Sequence, residues 1–466
     1  MTAAAFGAGG RRPGRLRWMP LLLGGLAVEV FLALALATRP SMVIAAVFAL
    51  GALCVAVFRV ELLFIPVLAT LPLFPVYAAP SFGSVSLEAT TCGLWLIAVG
   101  IIAHSALMGG KLRVTAIDYA FLGFLALLFA TVVMGLHHIA DFVTTAFTAV
   151  GPYLGMRLYM ARNPDAHWLS GVFVGLALIT APFVLYEVAT GSNPFFSLSV
   201  NASEGQLWAT SQDRGGSLRA EAAFGHSIAL AMFLATGFLF ALTRTLLAEP
   251  GTRRWVWAGA SLLLLPMIAL TGSRTGWVLV VVGIVLLTIA APLQLTRTRL
   301  AALVLTGIVA LTALTVLVPS DVPSPAKLIG SSSGEVGSSS RYRQQLLDYA
   351  LTGANFKAFG GDTNLAASAI GSSNTSIDNE YLLIASEWGL IPLAGFALII
   401  ATLVAALVRL RRQGTAWALP AITLANFAGL FFVAMITQQE IYIWALVGAC
   451  AGLTAAQRAP GRRSLP

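Results

Sequence analysis

The residues best suited to chemistry stand in four polar stretches of an otherwise apolar chain. The stretches RAEAAFGH, LTGSRTGW, RYRQQLLDY and SIDNEY contain the four residues that we single out first: Arg219, Arg274, Arg341 and Asp378. An arginine binds phosphate oxygens in pairs and stays charged at physiological pH. A carboxylate can accept a proton from a hydroxyl group. These four side chains could therefore hold an anion and activate a hydroxyl, provided that the fold brings them together.

Other polar residues of the same stretches are candidates for binding a substrate. They are Glu221, His226, Arg343, Asn379, Glu380 and Tyr381. Glu221 and Glu380 also compete with Asp378 for the role of proton acceptor. Several of the candidates have a structural alternative. Glu221 could pair with Arg219 or Arg214, His226 could be a satisfied boundary histidine, and Arg343 could be a solvated neighbour of Arg341. Asp378 and Asn379 could cap a helix that starts near Glu380, since both residue types are favoured there.

The composition indicates the elements that must position these residues. Of the 466 residues, 58% are hydrophobic and 10% are charged, and the mean hydropathy is +0.86. A soluble globule could not bury that much apolar surface. Apolar runs of roughly 18 to 25 residues recur along the chain, and each is long enough to cross a bilayer. We predict an all-α polytopic membrane protein with about 12 to 14 transmembrane helices. The expected spans are about 19–38, 41–58, 61–80, 88–108, 116–136, 142–160, 167–189, 221–246, 255–271, 276–292, 299–318, 380–408, 416–436 and 440–456.

Proline interrupts the pattern early in the chain. Pro66, Pro72 and Pro75 fall in or beside the third expected span. Because proline removes a backbone donor and disturbs a helix, the second and third spans could form one distorted pair.

The distribution of charge predicts the topology. The net charge of +9 would suggest nucleic acid as a partner in a soluble protein, but here the arginines recur in alternate connections, as the positive-inside rule requires. We therefore expect no nucleic acid partner, and cytoplasmic tails at about 1–18 and 457–466. The N-terminal arginines precede an uncleaved signal-anchor in this interpretation. The basic connections contain Arg59, Lys111, Arg113, Arg162, Arg253, Arg254, Arg297, Arg299, Arg409, Arg411 and Arg412.

The same alternation places two long loops outside, at about 190–220 and 319–378. The second loop contains the flexible stretch SSSGEVGSSS and a helical pattern from Arg341 to Lys357, which predicts a short amphipathic helix on the outer face. The turn LTGSRTGW also falls outside, so Arg274 lies at the outer boundary of the membrane. An arginine there can simply reach lipid headgroups. Its outer position, however, runs against the preference of arginines for the cytoplasmic side, and the flanking Gly272 and Gly276 let a ligand approach the backbone.

Cysteine and histidine give no sign of a metal site or a cofactor. The three cysteines, Cys54, Cys92 and Cys450, lie in apolar runs without metal-ligand spacing, and the five histidines lack such spacing too. The sequence has no phosphate-binding glycine motif for ATP or a dinucleotide. We therefore expect neither a metal nor a cofactor.

Four stretches resemble the O-antigen ligase and polymerase family, membrane glycosyltransferases that use polyprenyl-diphosphate-linked sugars. They are RAEAAFGHSIALA, LTGSRTGW, SSRYRQQLLDYAL with the following FGG, and SIDNEYLLIASEWGLIPLAGF. They occur in the order of the family's motifs and cover about residues 215 to 400. The resemblance implies a site facing outward from the bacterial cytoplasmic membrane, and a transfer with inversion from the lipid carrier to an acceptor hydroxyl. It implies an arginine clamp for the diphosphate and a proton acceptor at Asp378.

Two departures from the family pattern bear on the acceptor. Asp378 stands where ligases commonly have a histidine, and Ser227 follows His226 where the family often has proline. The missing histidine argues against transfer to lipid A. It favours a polymerase or another oligosaccharide transferase.

Two other functions compete. A flippase or transporter of lipid-linked oligosaccharide would be expected to show charges near the midplane and related halves, whereas Glu29, Asp118 and Glu187 lie near span ends or alone. A glycosyltransferase that uses a polyprenyl monophosphate sugar would need acidic residues in the first outer loop. That loop is only Thr38 to Ser41.

Overall fold

The computed structural model describes most of the chain between residues 51 and 457. The described positions are 51–108, 113–200, 202–209, 213–214, 217–291, 356–361, 377–411 and 416–457, with single residues at 306, 345 and 348. Helices dominate these residues, which confirms the predicted all-α fold class. Two small antiparallel hairpins accompany them, β1–β2 (Ser81–Phe82 and Val85–Ser86) and β3–β4 (Asp213–Arg214 and Ser217–Leu218).

The α-helices of the described residues are numbered in chain order. The first nine are α1 (Gly51–Phe58), α2 (Val60–Thr70), α3 (Ala89–Met108), α4 (Ala116–Val133), α5 (Ile139–Arg162), α6 (Ala166–Thr190), α7 (Ala202–Trp208), α8 (Ser227–Leu247) and α9 (Thr252–Leu270). They are followed by α10 (Arg274–Ala290), α11 (Glu380–Glu387), α12 (Leu390–Leu410), α13 (Ala418–Gly429) and α14 (Thr437–Gln457).

Several of these helices can cross a membrane. By length and composition, six of the described helices do so: α3, α4, α6, α8, α12 and α14. The pair α1 and α2 would add a seventh span if counted as one. Helices α10 and α13 are apolar but shorter. The protein is therefore a multi-pass membrane protein. The expected span 19–38, and all of the expected span 299–318 except Thr306, lie outside the described residues, so the number of spans stays a prediction.

The distorted pair is present, but its bend does not lie at a proline. Helices α1 and α2 meet at an angle of 120°, and Arg59 stands between them in a non-helical conformation. Pro66 lies inside α2. The span expected over 61–80 is wrong in its second half, because α2 ends at Thr70, two residues before Pro72, which has no N–H to continue the helix. The chain then forms the β1–β2 hairpin.

The single span expected over 380–408 is also wrong. The helix is interrupted at Gly389, whose φ of +104° lies in a region that favours glycine. Residues 357–360 occupy the break, where the Gly360 amide donates to the Trp388 carbonyl over 2.8 Å and the Leu390 amide donates to the Lys357 carbonyl over 3.0 Å. Helix α11 is consequently a separate short element, and the span begins with α12. The span expected over 416–436 is shorter too, since α13 ends at Gly429.

Long-range contacts define two ends of the helical bundle. We call one the basic end, where Arg113, Arg157, Arg162, Arg244 and Arg411 contact neighbouring helix termini. We call the other the loop end. It is defined by hydrogen bonds from Ala220 to Leu270, from Glu380 to Leu430, from His137 to Glu387 and from Gln438 to Ala223. All the candidate site residues that the structure describes lie at the loop end.

Helices α5, α8 and α14 form the centre of the bundle. Most of α8 and α14 is buried, whereas less than half of the apolar windows of α3, α4 and α12 is buried. Gly448 and Gly452 of α14 let the helix approach α5 closely, because a Cβ at these positions would overlap the carbonyls of Tyr153 and Arg157. Small residues serve this purpose in membrane helix pairs.

One buried ion pair fixes α5 to α4. The Arg157 guanidinium contacts both carboxylate oxygens of Asp118 over 2.9 and 3.1 Å, and Tyr153 donates to the same carboxylate over 2.7 Å. Asp118 also completes a capping box with Thr115 at the start of α4. The sequence correctly places Asp118 near a span end, but not alone.

Candidate functional site

Arg219 lies across the turn that leads into α10. Its Nε donates to the carbonyl of Thr271 over 3.3 Å, and the neighbouring amide of Ala220 donates to the carbonyl of Leu270 over the same distance. Arg219 is partly buried. Two segments more than 50 residues apart are thus held together, and Arg219 is placed beside the turn that contains Arg274.

Gly272 makes this approach possible. It has a φ of +60°, and a Cβ built on it would stand 3.3 Å from Cγ and 3.5 Å from Nε of Arg219. Glycine is therefore favoured here for two reasons: it adopts the left-handed backbone conformation readily, and it leaves room for the Arg219 side chain. The two glycines that the sequence singles out have different roles, since Gly276 packs inside the bundle against Ala231.

Arg274 is the first residue of α10, a position that favours an anion nearby. The first amides of a helix point outward without intrahelical partners, and the helix dipole places positive potential there. Ser273 is the N-cap but makes no side-chain cap bond. Its hydroxyl is buried and has no hydrogen-bond partner among the described residues. A second cation, Arg219, lies across the same turn.

The segment between Arg219 and α8 is a tight polar turn rather than the start of a span. The expected span 221–246 begins only at Ser227, because a 3-10 turn (Ala222–Phe224) and Gly225, with a φ of +61°, precede it. Glu187 of α6 holds this turn, since its carboxylate accepts from the amides of Glu221 and Ala222 over 3.0 and 2.9 Å. Glu221 is fully buried.

His226 caps α8. Its Nδ1 accepts from the amide of Ile228 over 3.2 Å, and its ring lies edge-on to Trp208. Burial and the charge of Arg219 lower the pKa of His226 to about 3, so the ring is neutral at physiological pH. This arrangement fits the boundary-histidine alternative.

The stretch Asp378–Tyr381 starts α11 at the same end of the bundle. Asn379 is the N-cap, as its side-chain oxygen accepts from the amides of Tyr381 and Leu382 over 3.0 and 3.1 Å. Its side-chain nitrogen donates to Phe431. The Tyr381 hydroxyl donates to the Phe427 carbonyl over 2.8 Å. The capping alternative is therefore confirmed for Asn379, and Asp378 is left partly exposed just outside the helix.

Glu380 is buried behind this cap. Its carboxylate accepts from the Met435 amide over 2.7 Å, and its own amide donates to the Leu430 carbonyl over 3.0 Å. Burial, with the nearby carboxyls of Glu440 and Glu387, raises the pKa of Glu380 to about 8. The side chain is therefore largely protonated at neutral pH.

The sequence analysis did not single out the polar residues at the start of α14. Gln438 donates to the carbonyls of Ala223 and Phe74 over 2.7 and 3.1 Å, so it connects α14 to the turn before His226. Glu440 accepts from Thr148 of α5 over 2.9 Å. Thr437 adopts a φ of +47°, which is strained for a residue with a branched side chain. The polar run TQQE between two apolar stretches was the signal that could have identified these residues.

The described candidates thus share one end of the bundle in two groups. One group surrounds the turn before α10 and consists of Arg219, Glu221, His226 and Arg274. The other stands at the start of α11 and consists of Asp378, Asn379, Glu380 and Tyr381. Gln438 contacts the segment of the first group through Ala223, and Met435 contacts Glu380 of the second. Arg341 and Arg343 lie outside the described residues. So does most of the predicted amphipathic helix, in which Gln345 and Asp348 are helical. Its expected end is wrong, because Phe356 and Lys357 are not helical.

The helices and the predicted spans define a polytopic all-α membrane protein whose candidate site lies at one end of the bundle. A family model described as O-antigen ligase matches residues 259–397. This match confirms the resemblance to the O-antigen ligase and polymerase family over that part of the chain. The match contains Arg274, Arg341 and Asp378, whereas Arg219 and His226 precede it. No curated protein matches the chain.

The family indicates the general kind of activity. It suggests a function of the O-antigen ligase or polymerase type and implies a glycosyltransferase-type enzyme in a membrane environment. It also implies that the substrate is a lipid-linked oligosaccharide.

Proposed function

We propose that the protein transfers or polymerises an oligosaccharide from a polyprenyl-diphosphate carrier onto an acceptor hydroxyl, at the outer face of the bacterial cytoplasmic membrane. The observation that carries this proposal is the packing of Arg219 across the turn that places Arg274 at the start of α10. Arg341, from the long outer loop, is the third proposed member of the clamp. Metal independence and inversion at the sugar carbon are part of the proposal.

The arginines would stabilise the leaving diphosphate. Charge develops on its oxygens as the sugar–oxygen bond breaks, and preorganised cations oppose that charge without reorganising water. The first turn of α10 adds outward-pointing amides and the positive end of the helix dipole. The buried Ser273 hydroxyl, which lacks a partner among the described residues, could donate to the same group. Several donors of this kind on one short turn support an anion site.

The bond changes in the proposed reaction are those of a single displacement. The acceptor oxygen forms a bond to the sugar's anomeric carbon while the bond from that carbon to the diphosphate oxygen breaks. The diphosphate leaves with the electron pair, and the acceptor's proton passes to a carboxylate. We assign that carboxylate to Asp378, which is partly exposed. Glu380 is buried and already accepts from Met435, so it would position α11. Glu221 is enclosed by the turn before α8 and would position Arg219.

The two ends of the bundle support the proposed orientation. Arg113, Arg162, Arg253 and Arg411 belong to the end opposite Arg274, as the predicted topology requires. Because basic residues favour the cytoplasmic side, the loop end would face outward, where lipid-linked oligosaccharide and acceptor can both reach it.

The decisive experiment uses the purified full-length protein with polyprenyl-diphosphate-linked oligosaccharide. It measures release of polyprenyl diphosphate and the length of the glycan product. Arg274→Lys keeps the charge but loses the planar fork, so we expect a loss of about 10²- to 10³-fold in rate. Arg341→Ala and Asp378→Ala should also lose activity. The control is Arg409→Lys, a like change at an exposed position of the basic end.

The outcomes separate the competing functions. Extended glycan chains would indicate a polymerase, and a single transfer to another acceptor would indicate a ligase. A near-normal rate for Arg274→Lys would contradict the clamp. Translocation of the lipid-linked oligosaccharide in vesicles without any transfer would replace this proposal with the flippase.

A further inference from the structure

A second cationic site lies at the basic end, remote from the candidate active site. It is built around Arg244, near the C-terminal end of α8, which is only 6% exposed. One Nη donates to the His167 carbonyl over 2.7 Å, the other lies 2.7 Å from His167 Nε2, and the guanidinium stacks over the Trp257 ring at 3.8 Å. Its buried Nε has no partner among the described residues. One donor of the guanidinium is therefore unused.

The positive charge of Arg244 is not balanced by a direct ion pair. Arg157, the other buried arginine of the basic end, contacts Asp118 through two hydrogen bonds. Arg244 has no carboxylate within ion-pair distance among the described residues. The Asp165 carboxylate interacts electrostatically with Arg244, but it caps α6 by accepting a hydrogen bond from the Trp168 amide. Arg253 adds a second cation, 3.4 Å from His167 Nε2.

An open pocket leads to this arginine. It has a volume of about 270 Å³ including its mouth, and it lies between the ends of α6, α8 and α13. Its polar lining is His167, Ser170, Thr243 and Arg244, and its apolar lining includes Phe240, Leu247 and Leu419. The enclosed part has room for a group about the size of a water molecule. A phosphate oxygen fits that description, with the rest of the ligand in the mouth.

The position of the pocket selects the kind of anion. It lies at the ends of helices, and Trp257 and Trp417 are beside it, as expected for the interfacial belt of a membrane protein. Basic pockets between helices on the cytoplasmic side commonly hold anionic lipid headgroups. We propose that Arg244, His167 and Arg253 bind the phosphodiester of an anionic phospholipid, whose acyl chains lie along the apolar wall.

The test measures the thermal unfolding of the full-length protein in neutral detergent with added phosphatidylglycerol, phosphatidylcholine or inorganic phosphate. Phosphatidylglycerol should raise the unfolding temperature, and the other two should not. Native mass spectrometry should find phosphatidylglycerol retained on the wild type. Arg244→Gln should weaken this binding about tenfold or more, which corresponds to the loss of a charge-assisted contact.

Two further variants keep the proposal testable if Arg244→Gln fails to fold. Arg253 is exposed, so Arg253→Gln should fold and should bind the lipid several-fold more weakly than the wild type. Arg409→Gln removes an exposed charge from the same end and should bind like the wild type. Equal weakening by Arg409→Gln would show non-specific attraction and overturn the proposal. A shift with inorganic phosphate as large as that with phosphatidylglycerol would also overturn it, since the site would then take a free anion.

Discussion

Gly272 offers the sharpest perturbation of the proposed clamp, because its substitution would displace Arg219 without removing any group that we propose to bind the diphosphate. Gly272→Ala adds one methyl group at a position with a φ of +60°. The left-handed conformation costs an alanine about 1 kcal/mol of folding stability. The new Cβ would stand 3.3 Å from Cγ of Arg219, which is tighter than ordinary van der Waals contact. Arg219 must therefore move by a few tenths of an ångström.

The displacement should reduce activity more than stability. A misplacement of about 1 Å in a positioned group can cost 10²-fold in rate, so a shift of a fraction of that distance should cost roughly tenfold. The assay is the rate of polyprenyl diphosphate release from lipid-linked oligosaccharide, measured beside the thermal unfolding temperature of the same sample.

Gly191→Ala is the matched control. Gly191 ends α6 at the same end of the bundle with a φ of +72°, and a Cβ there would meet nothing within 4 Å. It should lose a similar stability of about 1 kcal/mol and keep its activity. Equal activities of the two variants would refute the claim that Gly272 positions Arg219 for the reaction.

Three other predictions concern stability and can be checked by unfolding the purified variants. Asp118→Ala leaves Arg157 buried without its carboxylate and should cost about 3 to 5 kcal/mol, whereas alanine at the exposed Asp141 should cost under about 1 kcal/mol; similar losses would contradict the buried-pair account. Asn379→Ala removes an N-cap acceptor and should cost about 1 kcal/mol, while Asn379→Asp should restore most of it. The raised pKa of Glu380 means that the folded state holds a proton that the unfolded state has released. Stability should therefore fall as pH rises from about 5 to about 8, by at most about 1.4 kcal/mol per pH unit, and Glu380→Gln should flatten that dependence; an unchanged slope would place the titration elsewhere.

Local signals in the sequence predicted the helices and several details of the candidate site. Apolar runs located α3, α4, α6 and α14 to within a few residues, because hydrophobic length is a direct requirement of the bilayer. The preference of asparagine for helix starts led to the cap at Asn379. These features depend on residues that are close together along the chain.

Contacts between distant segments were beyond the sequence. Nothing near Gly389 predicts that residues 357–360 fill the break after α11, so the expected span over 380–408 ran through it. Arg244 could be read from the sequence only as a basic residue near a span end. Its buried stacking on Trp257 and its contact with His167 arise from helix packing, as does the approach of Arg219 to Thr271.

The central claim is that Arg219 and Arg274 bind the same diphosphate. A double-mutant cycle with Arg219→Lys, Arg274→Lys and the double variant tests it, using kcat/KM for release of polyprenyl diphosphate. Groups that share a ligand should be coupled by roughly 0.5 to 3 kcal/mol, so the double variant should lose less than the sum of the two single losses. Losses that add to within about 0.5 kcal/mol would mean that the two arginines act independently, which would contradict a shared clamp.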